Sequence, residues 1–355
     1  MLTTTDNEPQ SSSPVRPQSG TMTGIDIGRH SAKLVVVSRQ SKGITVSRAS
    51  CLRLTERSKA NGRDLAVQLC SWLREFGQAH CRAFVATLPS SMVDYESIEV
   101  SAEAVELEVH SAMREILGNA YGDASYEYWI GAQGREPSSK IVHLAWTAGD
   151  YASQLSSGLS RGGWNCVGID VPAQTLASIA ELDARPLAPS LVVDIGAGDA
   201  SFVLADQGNC KYVRNRIQFA TDSAAGTISK SLDVDEAAAE QLLAHWGIGV
   251  VQAENTDPIQ ILVTQHLSEW LQQLTYEIQR TLNYLKHNFG AHAPTEVVLC
   301  GGGACVKGLP STLPAALKLP VRFAQLPGNC TWNAAERFSP LYAQALASAM
   351  YGELS

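Results

Sequence analysis

An α/β fold built twice, with a nucleotide cleft between its halves and a small inserted α+β module, is what this sequence of 355 residues predicts. Three observations predict it. Two short apolar strands each end in an acid and a glycine, Gly24-Ile25-Asp26-Ile27-Gly28 and Leu191-Val192-Val193-Asp194-Ile195-Gly196, and their aspartates stand 168 residues apart, close to half the chain. A third apolar strand, Val297-Val298-Leu299-Cys300, opens into Gly301-Gly302-Gly303. Glycines at such turns let backbone N–H groups approach an anion with no Cβ in the way. The paired aspartates add oxygen ligands of the kind that Mg²⁺ and its waters take. One acid-x-glycine turn is uninformative. Two of them followed by a glycine triplet, in this order, indicate an internal duplication.

The elements follow in sequence. Strands are expected at Ile25 to Ile27, Lys33 to Ser38 and Ile44 to Ala49, as two hairpins in a row. A helix from about Asn61 to Phe76 places Leu65, Leu69, Trp72, Leu73 and Phe76 on one face. The strand Ala83 to Leu88 stops at Pro89. From Tyr95 to Trp146 the rhythm breaks into a short strand, an acidic helix over about 102–117, a Gly/Ala/Tyr-rich turn and a strand at about 141–147, which reads as the inserted module. A helix over about 151–161 and a strand over 167–171 lead back to the main sheet. The second half repeats the opening, with strands at Leu191 to Ile195, Ala200 to Ala205 and Cys210 to Arg216. An alanine-rich helical stretch over 223–246 follows. Next comes a long helix over about 261–289 whose buried stripe is Leu267, Leu271, Leu274, Ile278, Leu282, Leu285 and Phe289. Helices over about 310–317 and 341–351 flank a strand at 321–324.

Composition excludes several function classes. A net charge of −8 and a pI near 5.5 argue against nucleic-acid binding, which needs a basic surface to release counterions. Eight cysteines occur without any C-x-x-C, so neither a zinc ribbon nor a dithiol motif is present, and a reducing compartment is expected. No stretch approaches the roughly 18 uncharged apolar residues of a spanning helix. Residues 1–20, rich in Ser, Thr, Pro and Gln, lack the apolar region of a signal peptide and read as a disordered leader, which makes the cytoplasm the expected location. The dispersed histidines have no metal-ligand spacing, and Trp72, Trp164, Trp246 and Trp270 are expected in the core.

These motifs resemble those of the actin-like ATPase superfamily, a duplicated ribonuclease H-like fold, and within it the PilM family of type IV pilus assembly proteins, relatives of FtsA. Asp26-Ile27-Gly28 with Ser31 and Lys33 resembles the first phosphate motif, Asp194-Ile195-Gly196-Ala197-Gly198 the second, and Leu299 to Ala304 with Gly308-Leu309 the adenosine motif. Ala86-Thr87-Leu88-Pro89-Ser90-Ser91, Gly168-Ile169-Asp170-Val171, Tyr276 to Leu282 and Ser339 to Ala345 resemble PilM segments outside the nucleotide site. The resemblance implies a first domain of residues 21–88 and 165–188 closed by the helix 339–355, an inserted subdomain 89–164, and a second domain 189–338 with a smaller subdomain at about 217–260.

It also implies ATP and Mg²⁺ as cofactors. Asp26 and Asp194 would hold the hydrated metal or position the attacking water. Gly28, Arg29, Ser31 and Lys33 from one turn and Gly196, Ala197 and Gly198 from the other would grip the phosphates. Gly301, Gly302 and Gly303 would pass beneath the adenosine, and Glu240 would face the nucleoside. The implied partners are the cytoplasmic tail of a PilN-like inner-membrane protein, other pilus or secretion-machine subunits, and a second copy of the chain. The membrane would be reached only indirectly, because the chain carries no amphipathic basic helix after about residue 351.

Departures from the family pattern bear on turnover. Arg29 and His30 replace small hydroxyl residues in the first turn; Asp199 and Ala200 replace threonines in the second; Leu243 stands where a base-packing lysine is usual. Arg29 reads either as a phosphate clamp or as a solvated loop residue. An ATP-binding adaptor with weak or no hydrolysis is the first expectation; a sugar-kinase-like enzyme of the same superfamily and an FtsA-like filament former are the alternatives.

Overall fold

The computed structural model describes residues 3–4, 20–40, 43–56, 61–75, 83–134, 136–147, 149–182, 188–217, 221–248 and 257–350. Apart from Thr3, Thr4 and Gly20, the leader lies outside the described residues, as do Phe76, Cys81 and residues 351–355. The two-residue strand β1 (Thr3–Thr4) pairs with the inserted module. The first domain opens with β2 (Gly20–Ile27), β3 (Ser31–Gln40) and β4 (Gly43–Arg53), an antiparallel meander. Helix α1 (Gly62–Glu75) buries Leu65, Leu69, Trp72 and Leu73, the face that its periodicity predicts, and leads to β5 (Ala83–Thr87), parallel to β2.

The inserted module comprises β6 (Asp94–Ser101), α2 (Val105–Leu117), β7 (Ser125–Gln133) and β8 (Ser139–Thr147). The segment expected to be a Gly/Ala/Tyr-rich turn is a turn only at its start; from Ser125 it is a strand. Tyr126, Tyr128, Trp129 and Ile130 lie in this stretch, and aromatic and β-branched side chains suit a pleated surface. Val100, Val109, Met113, Tyr126, Val142 and Leu144 give the module a core of its own. It nevertheless leans on the second domain, through hydrogen bonds to neighbouring carbonyls of one strand. The Trp129 indole Nε1–H donates to the Cys210 carbonyl at 2.8 Å, and His143 Nε2 lies 3.0 Å from that of Lys211. Burial pushes His143 down to about 4, so its ring is neutral; the Ser97 hydroxyl, 2.7 Å away, donates to Nδ1 and leaves Nε2–H for Lys211.

The chain returns through α3 (Tyr151–Arg161), β9 (Asn165–Asp170), parallel to β5, and α4 (Pro172–Ile179), an element not anticipated from the sequence. The second domain repeats the first. β10 (Ser190–Ile195), β11 (Ala200–Asp206) and β12 (Asn209–Ile217) form the meander. The last hairpin turns at Gln207 and Gly208, whose φ angles of 51° and 69° match the twist of a tight hairpin. The helical stretch expected over 223–246 is two helices, α5 (Thr221–Leu232) and α6 (Glu236–Trp246). Asp233 sits at φ 51°, and the Asp235 side chain caps α6 by accepting from the Ala238 N–H at 2.7 Å. The long helix α7 (Pro258–Phe289) buries Leu267, Leu274, Ile278 and Leu285 of the expected stripe, adding Val263 and Trp270. Then come β13 (Glu296–Cys300), parallel to β10, α8 (Leu309–Leu317), β14 (Val321–Phe323), β15 (Cys330–Trp332) and α9 (Ala343–Ala349).

Strand order makes the duplication explicit. The first sheet runs β15-β4-β3-β2-β5-β9 and the second β12-β11-β10-β13-β14, so each has a meander, then two parallel strands. This is the two-domain actin-like architecture. The edge strand β15 carries the chain back onto β4 of the first sheet, and α9 then lies on β2 so closely that a Cβ at Gly24 would strike the Ala345 carbonyl. α4 and α9 share a core with both sheets, including Val35, Val37, Val192 and Val298.

Candidate active site

The two meanders make the same turn. Gly28 N–H donates to the Ser31 carbonyl at 2.9 Å, and Gly196 N–H to the Asp199 carbonyl at 3.0 Å. The turns face one another across the cleft, and a third, at Gly301, enters beside Asp194 because β13 runs parallel to β10 with Cys300 opposite that aspartate. Gly301 adopts φ 82°, and a Cβ there would collide with the Asp194 carboxylate, so only glycine fits. The start of α5 is fixed to the second turn by Thr221 N–H to the Gly196 carbonyl (3.3 Å) and Asp222 N–H to the Ala197 carbonyl (3.0 Å).

Together these turns enclose a cavity in two halves. The first, about 110 Å³, is lined by Asp26, Gly28, Arg29, Ser31, Lys33, Asp194, Gly196, Ala197, Gly198, Gly301 and Gly302, with Asp199, Thr221 and Gln344. The second, about 280 Å³, has Ala225, Leu243, Ala244 and Val306 as apolar walls, with Glu240, Asp222 and His30 as polar groups. His30, Ala197, Thr221 and Gly302 line both halves and mark the passage between them.

Charge is concentrated in the smaller half. Lys33 and Asp26 face each other across β2 and β3, with Nζ 3.2 Å from Oδ2. Burial by itself disfavours the Lys33 ammonium, but Asp26 and then Asp194 reverse this and hold it above its usual range. Asp194 is pushed up to about 7, first by burial and then by Asp26, with Lys33 opposing and Asp199 adding to the rise. Carboxylates brought together out of water resist joint ionisation unless a cation joins them. Across the mouth of the cleft, His30 Nε2 lies 2.8 Å from Asp222 Oδ2, with Arg29 Nε 4.0 Å from the same oxygen. The Arg29 side chain occupies the space above Gly198 where a Cβ would stand, so the first turn reaches over the second.

The sequence-derived site residues therefore converge, with one exception: Gly303 packs against Ile195 and Thr221 beneath the cavity and is absent from the lining of either half. Its role is close packing. Lining residues that the sequence reading did not assign to the site include Pro89, Ser90, Ser91, Thr221, Asp222 and Gln344. Ser90 carried a signal, a hydroxyl pair directly after a strand-ending proline, but its proximity to the turns depends on where β5 lies in the sheet. Among the described residues no three His, Cys, Asp or Glu side chains form a metal site by themselves. A hard cation here would complete its shell with phosphate and water oxygens, as Mg²⁺ commonly does.

A family model described as type IV pilus assembly protein PilM matches residues 24–351. The chain belongs to the PilM family of type IV pilus assembly proteins. Its function is that of a PilM-type component of pilus assembly. A chain of a PilM-PilN type IV pilus biogenesis complex superposes with a TM-score of 0.74 at 22% identity, over 93% of this chain and 98% of that one. The ethanolamine utilization protein EutJ from Carboxydothermus hydrogenoformans gives 0.53 at 13% identity, over 95% and 91% of the two chains. MreB5 of Spiroplasma citri bound to AMPPNP gives 0.54 at 13%, over 95% and 97%. At these identities the likeness is one of fold, and it extends from PilM to other actin-like proteins. No curated protein matched. Among the described residues no helix is long and apolar enough to cross a membrane.

Proposed function

We propose that the chain is an ATP-dependent adaptor that holds Mg-ATP between its lobes and binds the cytoplasmic tail of a PilN-like inner-membrane protein through its inserted module. The observation that carries the nucleotide half is the convergence of three glycine turns on one cavity with a small charged end and a larger apolar end. The donor set fits the ligand. Backbone amides at Arg29, Ala197 and Gly198, with the Lys33 and Arg29 side chains, suit a polyphosphate; Leu243, Ala244 and Val306 suit a base; Glu240 suits sugar hydroxyls. Bound Mg²⁺ would supply the positive charge that lets phosphate oxygens and aspartates share one small space. Asp26 and Asp194 are the residues that would face it. Lys33 holds Asp26 in place through their 3.2 Å ion pair, and Arg29 closes over the second turn. With Asp199 where a hydroxyl is usual in the family, the arrangement favours holding nucleotide over rapid turnover.

The partner half rests on family membership and on the module. A further cavity of about 410 Å³ lies between α1 and the root of the module, with Ile27, Leu54, Leu65, Pro89, Met92 and Tyr151 in its walls. An extended tail can bury apolar side chains in such a groove. Attachment to the cytoplasmic face of the inner membrane would then run through the partner, and other pilus subunits and further copies of the chain would join the same assembly. The test is calorimetry of the purified chain with a PilN-like tail peptide, with and without Mg-ATP. Binding of the peptide with an affinity that Mg-ATP alters supports the adaptor; no binding in either condition removes it.

A further inference from the structure

The hydroxyls that the first phosphate turn lacks are present on the other side of the same cavity. Ser31 alone carries one in the turn, since Arg29 and His30 occupy the preceding positions. Facing them, Ser90 and Ser91 open the 3-10 turn Ser90–Met92 at the root of the inserted module, and both line the charged half together with Asp26, Lys33 and Asp194. The turn is firmly held: Met92 N–H donates to the Pro89 carbonyl at 2.9 Å, and Leu88 N–H to the Asp170 carbonyl at 3.1 Å. Across the cleft, the Ser201 hydroxyl donates to Ser90 Oγ at 3.2 Å. Ser201 is the residue paired with Asp194 in the second meander. Just beyond, the Val93 carbonyl accepts from Asn215 Nδ2 of β12 at 3.0 Å. Ser91 also lines the apolar cavity beside α1, so this turn separates the charged pocket from that groove.

We propose that Ser90 and Ser91 are phosphate-binding residues of this site, and that through them the inserted module registers whether the terminal phosphate is present. The proposal rests on the nucleotide reading above and says which residues complete it. A hydroxyl is the donor this pocket can accommodate, because it bonds a phosphate oxygen without adding charge beside three carboxylates and two cations. Because Ser201 donates to Ser90 Oγ, the Ser90 proton is the one offered to a phosphate oxygen, so a bound terminal phosphate extends the Ser201–Ser90 chain into the ligand. The shorter diphosphate leaves that chain ending at Ser90. The module's root is therefore tied to the ligand as well as to the second lobe only when the terminal phosphate is present.

The experiment is calorimetry of Mg-ATP and Mg-ADP on the full chain, its Ser90→Ala/Ser91→Ala variant and its Ser90→Thr variant, with hydrogen exchange of β7 and β8 recorded for each. The double variant should lose about tenfold or more in Mg-ATP affinity, the scale of one or two hydrogen bonds to a charged group, and less than about threefold in Mg-ADP affinity. Mg-ATP should change exchange in β7 and β8 of the unaltered protein and leave the double variant unchanged, while Ser90→Thr, which keeps a hydroxyl, should follow the unaltered protein. Equal losses for both nucleotides, or none for either, would overturn the assignment of the serines while leaving nucleotide binding intact. Failure of the unaltered chain to bind either nucleotide would overturn the nucleotide reading itself, and this assignment with it.

Discussion

The glycine turns at Gly28 and Gly196 are copies of one design that have been completed differently. Each closes with the same four-residue hydrogen bond and places its aspartate last but one on the first strand of a meander. In the first copy the residue opposite the aspartate is Lys33; in the second it is Ser201. One ammonium therefore serves two buried aspartates. Asp26 has it at 3.2 Å, whereas Asp194 feels it as a weaker opposing effect and rises to about 7. Duplication supplies geometry twice, but a site between the two copies needs its charge only once, and a like lysine in the second copy would compete with a metal ion proposed for this cleft.

The most severe way to break this arrangement is Lys33→Met. It leaves Asp26 and Asp194 together without their buried cation, and loss of one partner from a buried ionic cluster costs about 3–5 kcal/mol. A loss of unfolding free energy of that size in urea titration at neutral pH, partly restored by millimolar Mg²⁺, is the expected result. Next in size is a pH effect. Asp194 binds a proton more tightly folded than unfolded, so between roughly pH 4, its unfolded pKa, and about 7 the folded state holds the extra proton and stability falls as pH rises. His143, held neutral down to about 4, gives the opposite slope from about pH 4 to 6.5, so the effect is read as a difference between proteins. Relative to wild type, Asp194→Asn should gain on the order of 3 kcal/mol between pH 4 and 7 and run parallel above that. Parallel curves throughout would show Asp194 to be an ordinary carboxylate.

A finer comparison sets Gly196→Ala against Gly28→Ala. At Gly196 a Cβ would stand 2.7 Å from the Asp199 carbonyl oxygen, part of the turn itself; at Gly28 the nearest atom, at 2.8 Å, is the end of the Lys33 side chain, with the Ser31 carbonyl oxygen at 3.2 Å. Thermal unfolding should show a loss of about 2 kcal/mol for the former and about 1 or less for the latter, in line with overpacking against fixed and movable neighbours. Equal losses would mean that the first turn is as rigid as the second. The smallest effect, about 1 kcal/mol, is expected for Trp129→Phe, which removes one hydrogen bond to β12 and keeps most of the ring packing.

Much of this was legible in the sequence because it is local. The aspartates, the glycines, α1 and the stripe of α7 are written as short motifs or as a period of three and four. The first 3-10 turn of the module was not, although Ser90 and Ser91 were in view, because a pocket lining is a property of sheet order. The strand β7 was misread since its glycine and alanine neighbours resemble turn composition, and it is pairing with β8 that decides. The break at Asp233 was hidden by flanking alanines, which favour helix on either side. Asp194 could be chosen from its motif, but its raised pKa depends on burial and on the third dimension that brings Asp26 alongside.

The inserted module grows out of one lobe yet rests its Trp129 and His143 on the rim of the other. A body rooted in one lobe and propped on the other could not ride passively were the two to part: it would tilt, or its prop would slip along the carbonyls of Cys210 and Lys211. Either movement would change the posture of the surface that the module presents.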